Sequence, residues 1–398
     1  MRVLIVTNLF PPAILGGYEI LCSQVAQALA DRRHEVTVLT SDFGAGGVAQ
    51  GGRLRVLRDL RLTYDFPGPA SHERILRRRV GRLNGRLTAD TIQEIQPDVV
   101  FLWSQLRLTV GPSRAAEGCG RPILYSFNDE HPIGFSPAPF GWRPRQLASW
   151  AADRWIFPET TNRDLSLSPA TCISRTLRDR LAQGGVPVGE CKVVSQGIPI
   201  GDFPLKARPG ALAEPPRVMY AGQLHAYKGV HTLIEACHGV VGRDGLPLHL
   251  AIYGTGADSY MAELERQAAR GAATVTFHGH VPHDVLAAAY RTNDILVFPS
   301  VWDEPFGLTH LEAMASGTPV ISTPNGGPGE FLVHEQNALL FEAENPTQLA
   351  SRIRRMVGDE ALRRRLARQG RQTVWQGFTL QRYVVRLEQM LEQTRRTA

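Results

Sequence analysis

The chain alternates short apolar runs with longer amphipathic stretches from end to end. Runs at 3–6, 99–102, 122–126, 171–173 and 192–194 have the length of buried strands. Helical spacing of apolar residues predicts helices over 18–30, 71–95 and 175–183. The last of these has Ser174 as its N-cap and stops at Gly184-Gly185. The pattern then restarts. Strands are expected at 217–221, 248–253, 275–279, 295–298, 320–322 and 338–341. Helices are expected after Gly229 to about 239, and at 308–315, 346–357, 360–370 and 382–396. Strands alternate with helices in both halves and no strand-only block occurs. This predicts an α/β protein of two doubly wound, Rossmann-like domains facing across a cleft, with ligand at the carboxyl ends of the strands. A length of 398 residues suits two domains. Residues 201–216 contain Pro and Gly without periodicity and are expected to be a linker between domains at 1–200 and 217–379.

One stretch concentrates the chemistry. After the apolar run 295–298, Pro299 opens a loop, Phe306-Gly307 leads into the helix at 308, and Gly317 and Pro319 stop it. Glu304 and Glu312 bracket the loop and the helix start, with seven residues between them. Unpaired N–H groups at a helix start attract phosphate, and Gly307 lets a ligand approach the backbone. Glu312 could accept hydrogen bonds from sugar hydroxyls, and Glu304 could face a second polyol. Such a pair suits a ligand carrying both phosphate and hydroxyls. In isolation it also fits a surface Glu beside one that complements the helix dipole.

The surrounding words decide between these. Glu-Pro-Phe-Gly at 304–307, Glu-Ala-Met-Ala-Ser-Gly-Thr-Pro-Val-Ile at 312–321 and Gly-Gly-Pro-Gly-Glu at 326–330 resemble the retaining glycosyltransferases of family 4, which have the GT-B fold. Glu304 and Glu312 match that family's paired glutamates. The resemblance covers nearly the whole chain; it is strong from 222 to 330 and weak from 44 to 157. It implies a nucleotide-sugar donor, with Phe306, Gly307, Leu308 and Thr309 at its phosphates and Glu312 at its ribose. It implies that Val281 reads the nucleobase through its backbone, and that Gly16 and Gly17 lie near the donor diphosphate. Gly254, in a glycine-rich turn after the strand at 248–253, is counted with the donor residues. A final helix at about 380–398 is expected to pack back on the first domain, and His34 is expected as a structural turn residue.

The sequence departs from the family pattern in two places. Asn128 stands where a histidine is usual at the end of the strand 122–126; Asp129 keeps the acid and His131 is displaced three positions. Gln223 replaces the usual arginine before Lys228-Gly229. Lys228 is one of only three lysines in an arginine-rich chain, with Lys192 and Lys206. A compact ammonium suits a phosphate reached through a narrow gap. Lys228, Glu304, Asp129 and His131 are therefore the expected catalytic residues.

Composition narrows the setting. Five scattered cysteines lack metal-ligand spacing, His278 and His280 have no Cys or acid at partner spacing, and no Asp-x-Asp pair occurs. No cofactor and no metal are expected. The apolar run at the start is too short for a signal peptide and none is long enough to span a bilayer, which points to the cytoplasm. The net charge of +6 is modest and the basic residues have no aromatic-interleaved module, so nucleic acid is not expected as a partner. Along the helix 71–95, Arg74, Arg78, Arg82 and Arg86 recur every four residues beside Arg77 and Arg79. They form either a solvated face or a contact with an anionic membrane at its inner face. The stretch 135–157, rich in Pro, Trp and Phe, reads equally as an acceptor-binding segment or a covered insertion. The expected activity is retaining, metal-independent transfer of a sugar to a glycan, lipid or small-molecule hydroxyl. A nucleotide-sugar epimerase on the same fold and a nucleotide-binding assembly protein remain as rivals.

Overall fold

The computed structural model describes residues 1–14, 16–43, 50–63, 70–105, 107–189, 191–242 and 245–397, with backbone alone for 50, 51 and 70–73. Leu15 of the loop before the first helix, and the side chains that open the expected basic helix, therefore lie outside the described residues. By internal contacts the chain forms two units, 1–195 with 383–398, and 196–382.

In the first unit β1 (Arg2–Val6) is central. It pairs in parallel with β2 (Glu35–Ser41) on one side, Val3 to Val36, and with β5 (Val99–Leu102) on the other, Val3 to Val99. The remaining strands are β3 (Gln50–Gly51), β4 (Leu54–Leu60), β6 (Ile123–Phe127), β7 (Ala170–Cys172) and β8 (Cys191–Val193). The order is β3-β4-β2-β1-β5-β6-β7-β8, antiparallel only at β3–β4. A parallel sheet is covered on both faces, which is why β1 and β5 are apolar at successive positions. β4 was not expected from the pattern. Arg55, Arg58 and Asp59 interrupt its apolar positions, because it lies near the sheet edge and only Val56 and Leu60 are buried.

The helix Ala70–Ile95 forms as expected, but its arginine row turns to its own chain. Arg74 pairs with Asp153 at 3.0 Å, while Arg78 and Arg82 meet Glu159 at 2.6 and 3.2 Å. Arg77 donates to the Gly134 carbonyl at 3.2 Å. His34 is a structural turn residue: its Nε2 lies 2.7 Å from Glu388, on the terminal helix Leu380–Thr397. In that helix Tyr383 is buried edge-on to Trp103.

The second unit holds β9 (Arg217–Ala221), β10 (His249–Tyr253), β11 (Thr274–Gly279), β12 (Ile295–Phe298), β13 (Val320–Ser322) and β14 (Leu339–Leu340). Their order is β11-β10-β9-β12-β13-β14, all parallel. Tyr220, Leu233, Ile252 and Ile353 fill one side of this sheet. The stretch expected as a linker is a correction: 201–216 belongs to this unit. Its backbone is hydrogen-bonded there, Lys206 N–H to the Ser316 carbonyl, Ala213 N–H to Asp294, and the Gly210 carbonyl to Arg363. The break between units falls instead at 195/196.

The strand exits are packed backbone on backbone. Gly254, at the end of β10, has φ +136°, and a Cβ there would lie 1.9 Å from the Gly222 carbonyl oxygen leaving β9. A side chain would force these exits apart. Gly254→Ala is expected to destabilise the second unit by about 2–4 kcal/mol. Urea unfolding checks this; a loss under about 0.5 kcal/mol, the range of a neutral surface change, would show that the exits are free to part.

Candidate active site

β9 and β12 are neighbours where the strand order of the second sheet reverses, so the loops leaving their carboxyl ends meet. From β9 the chain passes Gln223, exposed, whose carbonyl accepts from the Tyr220 hydroxyl at 2.8 Å. It then makes a single turn, Ala226–Lys228. Gly229 must follow: its φ is +69°, and a Cβ would strike the Pro299 carbonyl at 2.1 Å. From β12 come Ser300, Trp302 and Glu304. Lys228 Nζ donates to both oxygens of Glu304 at 2.7 and 2.8 Å, and Ser300 Oγ donates to Oε1 at 2.6 Å. The ammonium sits 4.8 Å from the Trp302 ring centroid. Both charged residues are less than a tenth exposed. The Glu304 backbone is fixed from the β13 side, its carbonyl accepting from Gly327 N–H at 2.7 Å.

The helix Leu308–Ala315 starts at Gly307, φ +117°, which has no side chain with which to cap it. Phe306 anchors the approach, buried against Phe331 and Phe378. Leu308 and Thr309 are half-buried, so this helix start is reachable. His310 is fully buried with its Nε2 2.9 Å from Ser322 Oγ; burial pushes its pKa down to about 3, and it stays neutral. Glu312, one turn in, accepts from the Tyr290 hydroxyl at 2.7 Å. Its other oxygen lies 3.8 Å from His283 Nε2, and this carboxylate holds the His283 pKa above its usual value. Val281 lies two residues before His283, on the same turn into the helix His283–Thr292.

The first unit has a site of its own. A cavity of about 40 Å³ opens at the ends of β5 and β6, lined among others by Tyr18, Trp103, Ser113, Asn128, Asp129 and His131. Asp129 accepts from the His131 N–H at 2.8 Å. Desolvation raises the Asp129 carboxyl to about 6. Burial, then the charges of Arg77 and Arg107, lower the His131 imidazole to about 4. At neutral pH the acid is mostly ionised and the histidine neutral. Trp103 Nε1 and His131 Nε2 are buried and make no hydrogen bond among the described residues. The Asn128 amide is turned inward, donating to the Trp103 carbonyl at 3.0 Å and to Ser126. Gly16 and Gly17 are exposed at the start of the helix Gly17–Asp31, but Glu19 reaches back to the Gly16 N–H at 2.9 Å.

Residues 15–201 match the model of Glycosyltransferase Family 4, and residues 204–373 match that of Glycosyl transferases group 1. The chain belongs to glycosyltransferase family 4. It is a nucleotide-sugar-dependent glycosyltransferase. Glycogen synthase of Mycobacterium tuberculosis is 28% identical over 402 residues, covering 96% of this chain and 92% of its own. Among solved structures, sucrose-phosphate synthase from Thermosynechococcus elongatus aligns over 100% of both chains with a TM-score of 0.77 at 20% identity. Anabaena HepE in complex with UDP-glucose aligns with a TM-score of 0.70 at 21% identity, over 99% of this chain and 100% of that one.

In this family 4 glycosyltransferase the residues singled out in sequence fall into two groups. Lys228, Glu304, Phe306, Gly307, Leu308, Thr309 and Glu312 belong to the second unit; Asn128, Asp129 and His131 gather around the first unit's cavity. Gly254 has a packing reason for being glycine. Sequence reasoning missed Ser300, Trp302, His283, Tyr290 and Trp103. Ser300 and Trp302 stand in the loop between Pro299 and Glu304, and their offsets from Glu304 were the available signal. Tyr290 and His283 reach Glu312 only through the fold.

The Lys228–Glu304 pair is buried enough that neither charge tolerates losing the other. Glu304→Ala is expected to cost about 3–5 kcal/mol of stability, and adding Lys228→Met to recover most of it. Denaturant unfolding of the parent and these two variants tests this. A single variant as stable as the parent would mean that water solvates the lone ammonium.

Proposed function

We propose that this glycosyltransferase moves a sugar from a nucleoside-diphosphate donor to an acceptor hydroxyl, with retention of anomeric configuration and without a divalent metal. The observation that carries this reading is the uncapped helix start at Gly307–Thr309, with Lys228–Glu304 supplied by the neighbouring strand loop and Glu312 one turn inside. The donor diphosphate takes the free N–H groups and the Lys228 ammonium, and Glu312 takes the ribose hydroxyls. Val281 supplies backbone contact to the base. As the C1–oxygen bond breaks, its electron pair goes to the leaving phosphate, where these donors meet the growing charge. The acceptor oxygen forms the new bond to C1, and its proton passes to Asp129 or to the leaving phosphate. Metal independence is supported by this donor set, in which the Lys228 ammonium and the helix-start N–H groups supply the positive charge that a divalent ion would otherwise bring to the diphosphate. Retention follows from the family pattern. The acceptor is a glycan, a lipid-linked group or a small molecule. The work is assigned to the cytoplasm; among the described residues no helix is long and apolar enough to cross a membrane.

A thermal-shift panel of UDP, GDP, ADP and dTDP tests the donor site, since a ligand that binds only the folded state raises its melting temperature. One nucleotide is expected to shift the parent, and less so Glu312→Ala and Lys228→Ala. Equal shifts in all three proteins would remove both residues from the site. UDP-glucose, the ligand of the HepE structure, is the first donor to assay, with and without chelator. Activity should survive the chelator.

The raised Asp129 carboxyl gives the acceptor side a pH signature. It is ionised above about 6, so kcat/KM should fall as pH drops through 6, while His131, neutral down to about 4, adds no change there. With Asp129 as base, Asp129→Asn should remove that limb and lower kcat about 10²–10⁴-fold. A near-parent rate for Asp129→Asn would leave the proton to the leaving phosphate.

A further inference from the structure

The helix Pro144–Ala151 has no buried residue. The turn Ala152–Ile156 that continues it buries only Asp153, whereas a helix in a folded unit is normally held by burying an apolar face. Here the apolar side chains point outward. Trp142 is 87% exposed, Trp155 66%, Ile156 56% and Phe140 51%, with Leu147 beside them. They are not scattered. Phe140 meets Trp142 and Trp150 edge-on at 5.1 and 5.3 Å, and Trp150 meets Trp155 at 5.1 Å. Such a contiguous exposed apolar patch marks an interaction surface.

Its charge says what covers it. Arg143, Arg145 and Arg154 are exposed around the rings, and Arg154 lies over Trp150. From 132 to 158 the only acid is Asp153, and it is buried, held by Arg74 and by the Ala138 N–H. The exposed face of this segment is therefore cationic and aromatic without a free anion. A second copy of the same face would bring like charge to like charge. Tryptophan rings that sit at a headgroup boundary, with arginines whose stems lie along apolar surface and whose heads reach phosphate, suit an anionic bilayer.

We propose that the segment Phe140–Ile156 is an interfacial anchor that seats the first unit on an anionic lipid surface. The basic row of the helix Ala70–Ile95 lies behind it, with Arg74, Arg78 and Arg82 held by acids of the chain. The contact is made by Trp142, Trp155, Leu147 and Ile156 entering the headgroup layer, and by Arg143, Arg145 and Arg154 on the phosphates. It requires nothing of the donor site, so it stands apart from the proposed reaction.

The test is sedimentation of the full chain with phosphatidylcholine vesicles, with and without phosphatidylglycerol, at low and high salt. Melting temperature serves as the fold control. The parent should be retained by the anionic vesicles alone, and released by salt. Arg143→Gln with Arg145→Gln should weaken retention by about fivefold for each arginine removed. Trp142→Ala with Trp155→Ala should abolish it, with melting unchanged because neither ring is buried. Brominated lipid should quench the parent's fluorescence and not that of the tryptophan variant. Failure of the parent to bind any vesicle would overturn the proposal, as would binding that neither variant diminishes. A parent dimer that the tryptophan variant converts to monomer, without vesicle retention, would assign the patch to a second copy instead.

Discussion

The buried pair of Lys228 and Glu304 is the constraint around which the second unit is built. A buried ammonium is tolerable only beside a carboxylate, and the two must be delivered by different strands at the reversal of the sheet order. That requirement reaches outward. Gly229 is needed so that the turn carrying Lys228 can pass under the Pro299 carbonyl. Gly326 is needed because a Cβ would lie 2.3 Å from the Glu304 carbonyl. Ser300 fills a lone pair of the carboxylate that the lysine leaves over. Several positions that look like ordinary loop residues thus follow from seating one charge pair. In the proposed reaction the same pair would keep the lysine aimed before substrate binds, so that its geometry need not be assembled when a phosphate arrives.

The two units solve the problem of charge differently. In the second, opposite charges are matched and the histidine among them, His310, is kept neutral by burial. In the first, Asp129 has no cation hydrogen-bonded to its carboxylate in the contacts described, and its carboxyl is lifted toward neutrality by desolvation. His131, two residues on, is pushed the other way. Environments that drive neighbouring titratable groups apart are where proton transfer is cheapest to arrange. Here they do so with residues that the sequence placed only by adjacency.

The fold was legible wherever an apolar run was uninterrupted. β1, β5, β9, β12 and β13 are buried on both faces, so their runs are apolar apart from the end residues Arg2, Arg217 and Ser322, and length identified them. β4 escaped because its charged residues break the run at an edge position. The linker was misplaced because proline and glycine mark both a true hinge and a segment pinned irregularly to its own unit; only the hydrogen bonds of Lys206, Gly210 and Ala213 separate the two. At the site, Glu304, Glu312 and Lys228 were legible from local wording. Tyr290 and His283 were not, since a hydroxyl and a ring that meet Glu312 from another helix leave no local spacing to read. The exposure of Trp142 and Trp155 was equally hidden: composition says that a segment is aromatic, and only packing says which way its rings face.

The carboxylate of Glu19, lying on the Gly16 N–H, closes the start of the helix Gly17–Asp31 with a group from its own chain. A ligand that took the Gly16 N–H would first have to displace that carboxylate. One of the N–H groups that the two glycines could offer is therefore already bound within the helix start itself.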